Sequence, residues 1–249
     1  MKKILSLGIL FAFPLMGIAQ FSGQLAVNNS AGDGGASEAI LNYASGSISD
    51  RIAKSKGLDL DAVQGSPYLN NAFLPTELFY ENEKIENIFY RYNAYNEEVE
   101  IKSSNSEQDI IRGLDRDKKI KILIDENPLS FKTFIDETGL TQNGYLIQLK
   151  EGKYKAYRRI NVKYTEGQRA LNSLTKATPP RFSHFNEYYL EIEGNNRIDE
   201  VVLRNRQFIK LLPEEIQSKV RTKFKEEGFK IKSEEDFLKA LRMVEDMDS

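Results

Sequence analysis

Between Gly65 and Lys102 the chain reads GSPYLNNAFLPTELFYENEKIENIFYRYNAYNEEVEIK. Tyr68, Phe73, Phe79, Tyr80, Phe89, Tyr90, Tyr92 and Tyr95 crowd this stretch with rings, in or beside runs where polar and apolar residues alternate. Such alternation predicts a β-hairpin or meander that starts a sheet. From Ile88 onward, Ile88, Tyr90 and Tyr92 project to one face and Phe89 and Arg91 to the other. Phe89 makes the second face apolar as well, which suits a central strand better than an edge.

The same pattern continues downstream. Lys118 to Ile124 (KKIKILI) sets Ile120, Ile122 and Ile124 on one face, Glu126-Asn127-Pro128 reads as a turn, and Leu129 to Ile135 returns. Gly144 to Lys150 and Lys153 to Tyr164 form a hairpin about Glu151-Gly152. Thr165 to Phe182 reads as a long polar connection. Glu187 to Glu193 and Arg197 to Leu203 flank a Gly194-Asn195-Asn196 turn. At Asn205 the period changes to that of helices. A short helix capped by Asn205 is followed by one starting at Pro213-Glu214-Glu215 and ending at Gly228, then by a last one with Ser233 and Asp236 as an approximate capping box.

The fold class is therefore mainly β with α: an antiparallel β-sandwich or open barrel of about eight strands followed by short C-terminal helices. The expected organisation is a signal peptide at 1–19, a flexible leader and possible helix at 20–63, an antiparallel β domain at 64–204, and a helical element at 205–249 packed on or beside it. The possible helix spans Glu38 to Lys56, where Ile40, Leu41, Ala44, Ile48 and Ile52 recur at helical spacing. Three short helices without a disulfide bury little by themselves, so packing on the sheet is favoured over a separate unit.

Lys2 and Lys3 form a basic start, Ile4 to Ile18 an apolar run, and Gly17-Ile18-Ala19 a small-residue cleavage site. Cleavage is expected after Ala19, and the apolar run is shorter than the ~20 residues of a spanning helix. Loss of Lys2 and Lys3 leaves 33 basic against 37 acidic residues, a net charge near −4 that gives no broad basic field for nucleic acid. The chain contains no cysteine, which removes disulfides, a lipid-bearing cysteine, thiol nucleophiles and thiolate metal sites together. These features predict a periplasmic protein, with secretion or the cell surface as the alternative, that does not span the membrane once the leader is removed.

GSPYLN at Gly65 to Asn70, RYNAYNEEVEIK at Arg91 to Lys102, the Gly152-Lys153-Tyr154 hairpin, NRQFIKLLPEEIQSKV and FKIKSEEDFLKAL together resemble an uncharacterised family of exported bacterial proteins with a β-rich body and a helical C-terminus. The resemblance spans about Gln64 to Val244. It implies location and architecture and carries no catalytic motif.

Candidate chemistry is sparse. Gly32-Asp33-Gly34-Gly35 lacks the Lys-Ser/Thr of a phosphate loop and the alternating acids of a calcium loop. The single histidine, His184, lies beside Ser183 and Glu187 without a nucleophile elbow and reads as a polar strand residue. One histidine and no cysteine exclude a zinc site with two imidazoles, and no cofactor is implied. Glu97, Glu98 and Glu100 form the best acidic cluster, with Glu98 and Glu100 on one strand face as a pair suited to glycoside hydrolysis. Tyr154, Tyr157, Arg158, Arg159, Lys163 and Tyr164 make a basic and aromatic strand of the kind that holds acidic polysaccharide or peptide. The expected role is binding or structural, with another envelope protein, a glycan or a peptide as partner and no catalysis. A carboxylate-dependent, glycan-directed hydrolase is the alternative.

Overall fold

The computed structural model describes residues 44–46, 58–170 and 176–248. The segment read as a signal peptide, Gly32-Asp33-Gly34-Gly35 and most of the helix expected between Glu38 and Lys56 lie outside these. Within that expected helix, Ser45–Gly46 is instead a short strand, β1. Serine and glycine are weak helix formers, and here they pair with a sheet edge.

The strands that follow are β2 (Leu74–Tyr80), β3 (Glu83–Asn93), β4 (Glu98–Lys102), β5 (Arg112–Leu114), β6 (Ile120–Ile124), β7 (Asn127–Ile135), β8 (Thr141–Lys150), β9 (Tyr154–Thr165), β10 (Arg181–Ile192) and β11 (Ile198–Glu200). They form one mostly antiparallel sheet in which β1-β5-β4-β3-β2-β6-β7 run in order and β7 continues through β8, β9 and β10 to β11. There the sheet curls back. β11 meets β7 again through a parallel pairing of Asp199 with Ile135. A second closure comes from the segment before β2: Gln64 bridges Arg181 of β10 and Tyr68 bridges Asn93 of β3. The body is thus a sheet rolled towards a barrel, followed by helices α1 (Asn205–Leu211), α2 (Glu214–Glu226) and α3 (Glu234–Asp248).

Strand β3 is central, paired with β2 on one side and β4 on the other. Ile88, Tyr90 and Tyr92 enter the main core, while Phe89 and Arg91 stay half-buried on the opposite face. Ile120, Ile122 and Ile124 join the same core from β6. A smaller interior lies inside the ring β7 to β11, made by Phe134, Leu146, Tyr157, Tyr189 and Ile198. The helices bury Phe208, Val220, Phe224, Phe237 and Leu241 against Tyr154, Ala156, Tyr188, Leu190 and Ile192 of β9 and β10.

Three boundaries differ from the sequence reading. The β6–β7 turn is Asp125-Glu126, both at positive φ, so Asn127 and Pro128 already belong to β7. Pro128 is tolerated because pairing with β8 begins only at Leu129, leaving its missing N–H without consequence. Of the stretch read as a connection from Thr165 to Phe182, both described ends extend a long hairpin: Thr165 pairs with Arg181 and Gln168 with Thr178. Asn205 does not cap α1, where Arg204 holds the cap position. Its amide instead reaches the loop between α2 and α3.

Candidate functional site

Strand β9 twists through three environments, and its alternating side chains separate accordingly. Tyr154 and Arg158 face α3. The Tyr154 hydroxyl donates to Asp248 Oδ2 at 2.5 Å, and Arg158 Nη1 donates to Glu234 Oε2 at 3.1 Å, so the strand holds both ends of that helix. Burial first, and then the Asp248 carboxylate, push the Tyr154 hydroxyl well above the usual tyrosine range.

Tyr157 and Arg159 point the other way, into the ring. The Arg159 side chain is the centre of a part-buried ionic network. Its Nε donates to Glu97 Oε1 at 3.0 Å, Nη2 donates to the same oxygen, and Nη1 donates to Glu187 Oε2 at 2.8 Å. Burial opposes the charge on Arg159, but the two carboxylates outweigh it and raise the guanidinium further above its ordinary range. Glu97 sits in the β3–β4 turn and also accepts the backbone N–H of Tyr145 at 3.2 Å and the Tyr92 hydroxyl at 3.4 Å. Glycine at 144 makes room for it, since a Cβ there would lie 2.7 Å from Glu97 Oε2. Glu187 accepts Asn161 Nδ2 at 2.6 Å and the Tyr189 hydroxyl at 3.1 Å.

Lys163 and Tyr164 occupy the far end of the strand. Lys163 is exposed with its ammonium 5.3 Å from the centre of the exposed Phe185 ring. Tyr164 packs among Tyr95 and Phe182. The six residues therefore do not present one face: Tyr154 and Tyr157 are buried, Arg158 and Arg159 are paired, and Lys163 alone is fully presented to solvent.

The acidic cluster is likewise taken up in structure. Glu98 and Glu100 are buried in β4, with Arg116 Nη2 3.3 Å from Glu98 Oε2 and Arg91 donating to Glu100 Oε2 from Nε at 2.9 Å and Nη2 at 2.6 Å. Arg91 in turn lies over Tyr68 and Phe73. His184 Nε2 is 2.8 Å from the Ser66 carbonyl oxygen, so it carries the proton there and helps fasten the Gln64–Tyr68 segment to β10. Among the described residues no group of three or more His, Cys, Asp or Glu side chains is arranged to hold a metal ion.

A polar cavity lies at the mouth of the ring, beside Tyr157. It has a volume of about 330 Å³ and is lined by Lys118, Phe131, Lys132, Glu191, Arg197 and neighbouring asparagines. Lys132 is half-buried with its ammonium 5.1 Å from the centre of the Tyr157 ring. Among the described residues it makes no ion pair. Burial holds its ammonium below the usual lysine range. Glu191 accepts the Tyr157 hydroxyl at 2.5 Å and Lys155 Nζ at 3.2 Å. Burial would raise this carboxyl, but the two donors outweigh it and hold it below its ordinary range, so it stays ionised.

Sequence reasoning found Tyr157 but missed Lys132 and Glu191. Lys132 is the one lysine of β7, and nothing local distinguishes it from the lysines of the other strands. Only the return of β11 onto β7 encloses it. Among the described residues no helix is long and apolar enough to cross a membrane. Compared with known protein families, curated proteins and solved structures, the chain matches none.

Proposed function

We infer that this is an exported envelope protein that acts by binding rather than by catalysis, with an anionic group of a glycan or peptide as its ligand. The observation that carries the reading is the half-buried Lys132 ammonium over the Tyr157 ring, in no direct ion pair among the described residues, in a cavity that it shares with Glu191 and that Lys118 and Arg197 also line. A cation kept partly out of water and unpaired costs stability, and an incoming carboxylate would offset that cost. The asparagines at 195 and 196 supply further donors or acceptors to hydroxyls or amides. Export rests on Lys2, Lys3, the apolar run to Ile18 and the small residues before Gln20.

The test is a titration of the purified protein with sodium galacturonate oligomers and, separately, with an acetylated acidic tripeptide, followed by heteronuclear NMR. Shifts at Lys132, Tyr157 and Asn195 that saturate with one ligand class and vanish in Lys132→Met support the reading. Unchanged spectra with both classes, or equal responses in Lys132→Met, sink it. Amino-terminal sequencing of protein taken from the envelope of its native cell checks export: a chain beginning at Gln20 is expected, and a retained Met1 overturns it.

A carboxylate-dependent glycan hydrolase is the second reading, and Glu200 favours it. Burial raises the Glu200 carboxyl, the Glu137 backbone N–H at 2.8 Å opposes this, and nearby Glu187 raises it again. A carboxyl held above its ordinary range beside a second carboxyl is the arrangement general-acid chemistry uses. Turnover of a chromogenic glycoside that disappears in Glu200→Gln would establish this reading, and turnover that persists would remove Glu200 from it.

A further inference from the structure

Helices α1 and α2 enclose a groove of about 460 Å³ whose floor is apolar and whose rim is entirely basic. Ile209 and Phe224 are buried at its base, and Phe229 stands half-buried at one end. Two local devices fix this floor. Helix α2 ends in a Schellman motif, with the Phe229 N–H donating to the Phe224 carbonyl at 2.9 Å and the Gly228 N–H to the Lys225 carbonyl at 3.2 Å. Gly228 takes the left-handed conformation this requires, at φ 62°, and the Phe224 and Phe229 rings lie 5.0 Å apart. Asn205 then clamps the next residues, donating Nδ2 to the Phe229 carbonyl at 2.6 Å and accepting the Ile231 N–H at 2.8 Å. The groove is therefore formed before anything occupies it.

Arg206, Arg221, Lys225 and Lys230 make the rim, and no acidic residue lines it. All four are exposed, and among the described residues none makes an ion pair. Elsewhere in the same region lysines are taken up: Lys223 pairs with Glu227, Lys150 with Glu245 and Lys153 with Asp248. Four uncompensated like charges around an apolar depression repel one another, and the fold gains nothing from placing them there.

We propose that this groove binds an acidic segment of a partner protein, with an apolar side chain seated against Phe229 and carboxylates on the basic rim. The proposal deepens the binding reading by naming a partner class, at a surface separate from the Lys132 cavity. Charge complementarity sets the sign of the occupant. Recession of the floor sets its shape: a flat anionic bilayer would meet the cations and leave the depression beside Phe229 unfilled, whereas a protruding Leu or Phe enters it. Arg221 and Lys225 lie one helical turn apart, ~6 Å along α2, with Arg206 and Lys230 supplied by other segments. A single small anion cannot satisfy all of these, but carboxylates spaced on either side of an apolar anchor can.

The probe is a fluorescein-labelled peptide, Asp-Glu-Glu-Phe-Leu-Glu-Glu-Asp, titrated with the purified protein by fluorescence anisotropy. Saturable binding is expected, weakened by about tenfold or more in the double variant Arg221→Glu with Lys225→Glu, and likewise when Phe-Leu in the peptide becomes Ala-Ala. Arg221→Gln with Lys225→Gln should fall between. An unchanged thermal midpoint in these surface variants shows that folding is not the cause. Absence of binding at millimolar protein overturns the proposal. So does equal affinity for the alanine peptide, or retention on anionic vesicles with none on the peptide. Peptide binding that survives Lys132→Met while uronate binding is lost separates the two sites, and failure of either titration leaves the other reading standing.

Discussion

Arg159 and Glu97, 62 residues apart in sequence, meet through two donors to one carboxylate oxygen, and Glu97 lies where a side chain at position 144 would be. The pair fastens the β3–β4 turn across β8 to β9, joining the main core to the smaller ring. Glu97→Ala leaves Arg159 with only Glu187 and should lower unfolding stability by about 3 kcal/mol. Arg159→Met combined with Glu97→Leu should cost clearly less than the sum of the single changes, because no buried charge is then left unpaired. Gly144→Ala should resemble Glu97→Ala, since its methyl group displaces the carboxylate. Urea unfolding of these three variants and of the Arg159→Met and Glu97→Leu single variants checks all of this, and additive losses in the double variant would count against it.

Glu200 makes stability depend on pH in the direction opposite to most carboxylates. Its folded pKa lies above the unfolded value, so the protonated form is favoured by folding. That contribution is full below the unfolded pKa and is lost as pH rises through the folded pKa. Glu200→Gln should therefore be at least as stable as the parent chain near about pH 7, with the advantage shrinking as pH falls through the folded pKa and gone below about 4. Thermal midpoints across that range are the measurement.

Lys132 places function against stability. Burial depresses its folded pKa, so the charged form is penalised at neutral pH, and the penalty is relieved as pH rises through the folded value towards the unfolded one. Lys132→Met keeps the aliphatic stem over Tyr157 and removes the charge. The variant should melt higher than the parent at neutral pH, converge with it in strongly alkaline solution, and no longer respond to uronate. A lower midpoint at neutral pH would show that the ammonium is already compensated.

Asn205→Ala removes both bonds to the loop after α2 and should cost about 1–2 kcal/mol. The amide of Ile231 should exchange faster with solvent than in the parent chain, while amides of α1 itself stay protected. If Asn205 acted as a helix cap instead, exchange would rise in the first turn of α1.

Much of the architecture was legible because strand and helix periods are local. Ile88, Tyr90 and Tyr92 share a face whatever they pack against, as do Ile120, Ile122 and Ile124, and Gly228 ends α2 because only a residue tolerant of positive φ fits there. Asn205 shows the limit of the same reasoning. Its position before an apolar run fits a cap, yet its amide gains two partners from a loop more than twenty residues away.

The sequence by itself determined an antiparallel sheet followed by three helices, and which side chains of each strand share a face, because these follow from backbone geometry and residue spacing. Only the tertiary structure decided what the charges are for. Arg158 and Arg159 are neighbours in a basic strand, yet one meets Glu234 at the start of α3 and the other meets Glu97 and Glu187 inside the ring. Lys132 and Arg221 look like any other surface cations in the chain, and they differ only because neither was brought into a direct ion pair when the sheet closed and the helices docked. Local pattern fixes which way a side chain points, but a charge finds its partner across the fold.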